Sequence, residues 1–264
     1  MRVLIAVLVA LNFFSFSIAH AGDVKHNFKL ATGEYSPFTS EDLPNYGIDS
    51  HIIVEAFDNV DIDVIFDFLP WKRAFRTAEI GEADGSLPWA KRDGREKLFY
   101  YSDPVIEVER EYFFYLKSTI FEWDSVKQDY SQLAGKRFSA IASGNYGDDF
   151  QNAEADDTIN VTRLQEEKQS LALLFSGRVD ILIGKKRVVE YALNKHFSAQ
   201  QRSKITYQPE SGAPPSFDYL LISKASPNGE FFLAKFNEGL KILHDSGRYE
   251  ILMHAFEDGI YSGF

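Results

Sequence analysis

From Gly47 to Asn59 apolar side chains recur at Ile48, Ile52, Ile53, Ala56 and Phe57, a spacing that predicts an amphipathic helix. The flanking segments change period. Phe28–Ala31 is a short apolar run closed by the turn Thr32–Phe38, and residues 63–69 (DVIFDFL) alternate as a strand does. Pro70 and Trp71 end that strand, and 72–81 returns to helical spacing. Residues 98–101 then lead to an Asp103-Pro104 turn, and 109–116 (EREYFFYL) reads as a long strand. Strand, helix, strand, helix in this order predicts a parallel or mixed sheet covered by helices.

The alternation restarts after Lys117. An irregular stretch, 121–132, precedes a strand over 137–142, a glycine-bearing turn over 143–147 and a helix over 148–155. A helix over 165–176 stops at Gly177, and 179–183 is a buried strand. A helix over 187–197 and a strand over 205–208 follow. Gly212-Ala213-Pro214-Pro215 is the strongest interior linker signal. Beyond it, 217–223 reads as a strand, and 228–245 and 249–256 as helices. The middle of the chain therefore forms an α/β unit inserted into a first domain built from both ends. The expected architecture is α/β and two-lobed: each lobe is a mixed sheet flanked by helices, and two crossing strands form a hinge that closes on a ligand. The boundaries predicted are a signal peptide over 1–21, a discontinuous first lobe over 22–115 and 216–264, and a second lobe over 116–215.

The leader prediction rests on Arg2, the apolar run Val3–Phe14 and Ala19-His20-Ala21 ahead of Gly22, the small-residue pattern of a cleaved secretory signal. Asn12, Ser15 and Ser17 leave the run short for a membrane span. An exported chain without cysteine relies on its core rather than on disulfides. The formal charge of −11 argues against nucleic acid as a partner. A local basic pocket remains compatible with it.

Such a pocket is suggested by 85–104, GSLPWAKRDGREKLFYYSDP, where Trp89, Lys91, Arg92, Arg95 and Lys97 precede the aromatic run Phe99-Tyr100-Tyr101. A guanidinium grips a carboxylate in bidentate fashion and an indole supplies a flat apolar wall, so this loop suits an anionic or zwitterionic small molecule. The turn carrying Asn145 and Tyr146 presents backbone N–H groups at a helix start, a second anion-binding candidate. No Gly-x-Ser-x-Gly, His-Glu-x-x-His or metal-ligand spacing occurs, so no metal or cofactor is expected.

Several segments together, in this order, resemble the type II periplasmic solute-binding proteins of family 3, the polar amino-acid-binding components of bacterial ABC importers. They are Tyr35-Ser36-Pro37-Phe38, Leu69–Ala74 (LPWKRA), Gly81–Asp84 (GEAD), Arg95 with 99–104 (FYYSDP), 176–180 (SGRVD) and 244–249 (HDSGRY). The resemblance runs from about Phe28 to the C-terminus. It implies that Tyr35 and Trp71 stack on the ligand and that Arg95, eight residues before Asp103, grips its α-carboxylate. Two positions depart from the family. Leu87–Ala90 stands where hydroxyl-bearing residues would precede the arginine, and Lys185 stands where an acid would hold the α-ammonium. A lysine facing the cleft would repel an ammonium and favour a second anionic group. Glu34, beside Tyr35, is the acid nearest at hand as a substitute.

The resemblance implies a monomeric, non-catalytic periplasmic protein that closes on a small polar carboxylate, an amino acid or related organic acid, for an ABC permease. Two alternatives stay open: an enzyme on the same scaffold, like a cyclohexadienyl dehydratase, and a freestanding ligand sensor.

Overall fold

The computed structural model describes residues 26–262 except 121, 143, 145 and 212–214. The predicted leader, Asn145 and most of the Gly212–Pro215 linker lie outside the described residues. The first lobe opens with β1 (His26–Thr32), α1 (Ile48–Asp58), β2 (Ile62–Phe68), α2 (Trp71–Glu79), β3 (Gly85–Trp89) and β4 (Phe99–Val108). The chain then passes through β5 (Glu111–Leu116), β6 (Arg137–Ile141), α3 (Asp148–Ala155), β7 (Asn160–Leu164), α4 (Glu167–Phe175) and β8 (Ile181–Lys185). α5 (Lys186–His196), α6 (Ala199–Arg202) and β9 (Ile205–Pro209) complete the second lobe, and β10 (Ser216–Ser223), α7 (Gly229–Asp245) and α8 (Arg248–Glu257) return to the first.

Each lobe holds one five-stranded mixed sheet, ordered β2-β1-β3-β10-β4 in the first and β7-β6-β8-β5-β9 in the second. The two repeat one plan. Three parallel strands (β2, β1, β3 and β7, β6, β8) continue into a strand delivered from across the hinge (β10 and β5), which runs antiparallel to them.

Two expectations are corrected here. β5 was expected in the first lobe, but Phe113 and Phe114 pair with Ile183 and Leu182 on β8 and with Gln208 and Tyr207 on β9. The crossing therefore falls at Glu109–Arg110, not after residue 115. The Asp103-Pro104 pair lies inside β4 rather than in a turn. β4 is an edge strand, and Pro104 faces Tyr219 at a register shift, where a residue without N–H costs no regular ladder bond.

The first core packs α1 and α7 on the sheet through Phe28, Ile52, Phe57, Phe232 and Phe236. Gly239 lets α7 approach α1 closely, because a Cβ there would overlap the Ala56 carbonyl oxygen. The second lobe has separate cores on the two faces of its sheet, one around Phe138 and Phe150 and one around Phe114 and Leu174. The lobes touch beside the hinge: Val188 at the start of α5 joins the first core, and the Arg187 guanidinium lies 4.6 Å from the Phe256 ring centroid. Among the described residues no helix is long and apolar enough to cross a membrane.

Candidate functional site

Because β1, β2 and β3 are parallel, their carboxyl ends share one edge, and the loops that follow meet there. These loops carry Glu34 and Tyr35, then Trp71, then Trp89 and Arg95. In the second lobe the carboxyl ends of β6, β7 and β8 bring up Tyr146, Glu167 and Lys185 in the same way. The two edges face each other across a cleft of about 1300 Å³. Seven of the eight residues singled out from sequence line it; Asn145 lies outside the described residues.

The first-lobe wall is aromatic. Trp71 opens α2, donates its Nε1–H to the Glu34 carbonyl at 3.3 Å and covers Gly33, where a Cβ would sit 2.6 Å from Cε2. It meets Trp89 edge to face at 5.4 Å and Tyr35 at 6.4 Å. Trp89 is held by its own Nε1–H donating to the Ser86 hydroxyl at 2.8 Å. Tyr35 stacks on Phe38 at 5.3 Å, and its N–H donates to the Thr39 carbonyl at 2.7 Å, which closes the loop.

Arg95 follows Gly94, whose left-handed φ of 85° turns the chain into a single 3₁₀ turn. The guanidinium stacks 4.7 Å from the Trp89 ring and donates to the Ala90 carbonyl at 2.9 Å. Burial lowers its pKa, and it pairs with no carboxylate among the described residues. Lys91, 4.7 Å from the Tyr219 ring, likewise has no acidic partner there. This corner of the cleft carries positive charge that no carboxylate answers among the described residues.

The second-lobe residues behave differently from expectation. The Tyr146 ring covers Gly144, and its hydroxyl accepts from the Ile141 N–H at 2.8 Å, so it braces the turn. Its phenol is raised by burial. The helix start behind it already carries Asp148 and Asp149 in its first turn, which answer the positive end of α3 and weaken the case for an anion there. Lys185 stands opposite Glu111 in the β5–β8 register; its ammonium meets that carboxylate at 3.1 Å and donates to the Glu109 carbonyl at 2.8 Å. The lysine lines the cleft with its charge already answered. Glu34 is an exposed rim residue whose Oε1 accepts the Glu41 N–H at 2.9 Å.

Two acids passed over in the sequence also line the cleft, Asp218 on β10 and Glu167 at the start of α4. Burial raises both, Asp218 to about 6, with the Lys185 charge pulling it down and Glu111 pushing it up. The Tyr35 phenol is raised well above its ordinary value by burial and then by the charges of Asp218, Glu111 and Glu167.

No protein-family profile and no curated relative matches the sequence. Solved structures do. A mutant of ArgBP from T. maritima superposes with a TM-score of 0.68 at 17% identity, covering 88% of this chain and 95% of that one. A structure from work on glutathione import through GshT and the cystine ABC importer TcyBC of Streptococcus mutans gives 0.69 at 17%, covering 90% and 95%. A histidine kinase sensor domain with similarity to periplasmic binding proteins gives 0.68 at 16%, covering 87% and 96%. The chain has the two-lobed periplasmic binding-protein fold. In that fold the described cleft lies between the lobes, beside the crossings at Glu109–Arg110 and Pro209–Ser216. At these identities the likeness speaks for the fold, and the chemistry must come from this chain's own residues.

Proposed function

We propose that this protein is an exported, non-catalytic solute-binding protein that closes its two lobes on a small polar carboxylate and delivers it to an ABC importer. The observation that carries the reading is the pairing, within one inter-lobe cleft, of an edge-to-face aromatic wall (Tyr35, Trp71, Trp89) with a guanidinium, Arg95, that has no acidic partner among the described residues. Flat faces hold the aliphatic part of a ligand by dispersion, and the guanidinium holds a carboxylate through two parallel hydrogen bonds. A hinge of two connections supports closure, which excludes water from those bonds. The structures similar in fold include an ancestral arginine-binding protein bound to arginine, at 18% identity and a TM-score of 0.65.

Thermal unfolding of the chain without its leader, against a panel of amino acids and organic acids, tests the reading. A ligand at 100 times its dissociation constant adds about 2.7 kcal/mol, a readily visible rise in midpoint. Arg95→Ala should abolish the rise for a carboxylate ligand. Retention of full affinity in that variant would refute the role of Arg95.

A freestanding sensor is the second reading, favoured by the similarity to a kinase sensor domain. Ligand-dependent capture of a permease from solubilised membranes supports the importer reading; ligand binding without such capture favours the sensor.

A further inference from the structure

The two walls of the cleft are anchored by different means. On the first lobe Trp71 and Trp89 are pinned by their own indole N–H groups. On the second lobe the wall is the turn that leads from β6 into α3, from which Ile141, Gly144, Tyr146 and Gly147 line the cleft. Main-chain bonding sets only part of its shape, with the Gly144 N–H reaching the Ile141 carbonyl at 3.1 Å. The rest comes from side chains.

Arg163 reaches the turn from the edge strand β7, where its register partner on β6 is Ala140, the residue before Ile141. Its guanidinium is gripped by Glu154 on α3: Nε donates to one carboxylate oxygen at 3.0 Å and Nη2 donates to the other. A guanidinium is rigid and planar, so a carboxylate held on that edge fixes where the remaining nitrogen points. Nη1 points into the turn and donates to the Ile141 and Gly144 carbonyls, both at 3.2 Å. The same group lies 5.4 Å from the Tyr146 ring centroid and 5.6 Å from that of Phe150. Tyr146 in turn covers Gly144 and accepts the Ile141 N–H, so both carbonyls and the covering ring meet at one side chain. Neither Arg163 nor Glu154 lines the cleft. An ion pair as accessible as this one, 26% and 28% exposed, adds little stability by its charge alone. Its specific effect is to aim Nη1.

We infer that Arg163, aimed by Glu154, is a positioning residue of the cleft: it fixes the second-lobe turn in the shape that meets a bound solute, and it does so without touching the solute. This rests on the solute-binding reading above and deepens it. A wall already set before the ligand arrives needs no ordering on closure, so affinity depends on a residue that stands behind the site.

The test combines three measurements on the chain without its leader. Isothermal calorimetry with the standard L-amino acids, succinate and glutarate as probes reads affinity, hydrogen exchange at the Ile141 and Gly144 amides reads the turn, and thermal unfolding reads stability. Arg163→Met should weaken the best probe about tenfold or more and speed exchange at both amides. Arg163→Lys keeps a charge for Glu154 but has no rigid fork, so it should recover more of the unfolding midpoint than of the affinity. Glu154→Gln leaves the guanidinium in place without its two-toothed grip; it should weaken the probe by a smaller factor, and it carries the test if Arg163→Met does not fold. Arg248→Ala removes a similar pair, with Glu55, away from the cleft, and should lower the midpoint with affinity unchanged. Native affinity in Arg163→Met and Glu154→Gln, or recovery of affinity by Arg163→Lys in step with the midpoint, would overturn the positioning role and leave a solute-binding protein standing. No heat from any probe would count against the solute-binding reading, and exchange would still decide the brace: unchanged rates at Ile141 and Gly144 in Arg163→Met overturn it, and faster rates confined to the turn support it.

Discussion

Replacing Gly33 by alanine tests the aromatic wall at its foundation. The Gly33 backbone does not lie in the left-handed region, so alanine is compatible with its dihedrals and the whole effect falls on the side-chain contact. The added Cβ would lie 2.6 Å from Trp71 Cε2 and 2.7 Å from Cδ2, closer than carbon atoms approach without displacement. Trp71 cannot slide away freely, since its indole N–H is bonded to the Glu34 carbonyl and its ring abuts Trp89 at 5.4 Å. Forcing one extra methyl into such a contact costs about 1–3 kcal/mol, which includes about 0.5–1.5 kcal/mol for the hydrogen bond if it breaks. A domain of this size loses about 2–4 °C of melting midpoint per kcal/mol. Gly33→Ala should therefore melt several degrees lower by circular dichroism, and the tryptophan emission should shift as Trp71 leaves its seat. Ligand affinity should fall with it. An unchanged melting midpoint together with unchanged emission would refute the claim that Trp71 is seated on Gly33.

Further outcomes follow from the same geometry. Gly239→Ala places a Cβ into the Ala56 carbonyl where α7 crosses α1, so it should cost more than Gly33→Ala, about 3 kcal/mol or above, read as a loss of folded yield or a large fall in midpoint. Burial raises the folded pKa of Asp218 from 3.8 to about 6, so this residue contributes stability at low pH that is lost as pH rises from about 4 to 6. Asp218→Asn should accordingly stabilise the protein at pH 7.5 relative to the native chain, and less so at pH 4; a variant destabilised at pH 7.5 would contradict the cost assigned to the buried carboxylate. The Glu55 carboxyl is held below its ordinary value, first by its hydrogen bonds from Arg248 at 2.6 and 2.8 Å. Its contribution is full above about pH 4.5 and fades as pH falls through the lowered value, so Arg248→Ala should cost about 0.5–1 kcal/mol at neutral pH and less in acid, the figure being small because the pair is partly solvated.

Period and punctuation carried the chain a long way by themselves. The 3.6-residue recurrence of Ile48, Ile52, Ala56 and Phe57 determined α1, the turn residues at Gly33–Pro37 and Pro70-Trp71 placed loops that line the cleft, and the restart of the strand–helix alternation after Lys117 determined two lobes. These are local properties, set by side-chain spacing and by backbones that proline and glycine constrain. Tertiary structure decided what depends on distant partners. The apolar run of β5 is the same string whichever lobe it joins, and only pairing with β8 and β9 assigns it to the second. β3 and β7, too short to show a period, became strands by lying beside β1 and β6. The charge of Lys185 is written in the sequence, but its neutralisation comes from an antiparallel register that sets Glu111 opposite. The Asp of FDYLLIS looks like one polar position of an ordinary strand; the crossing of β10 at the hinge makes it a nearly buried acid lining a cleft, without a side-chain hydrogen bond among the described residues. Sequence patterns determine which surfaces a segment must bury, whereas the dielectric and the partners of an ionisable group are fixed by chain segments far away in number, and those determine what a site can hold.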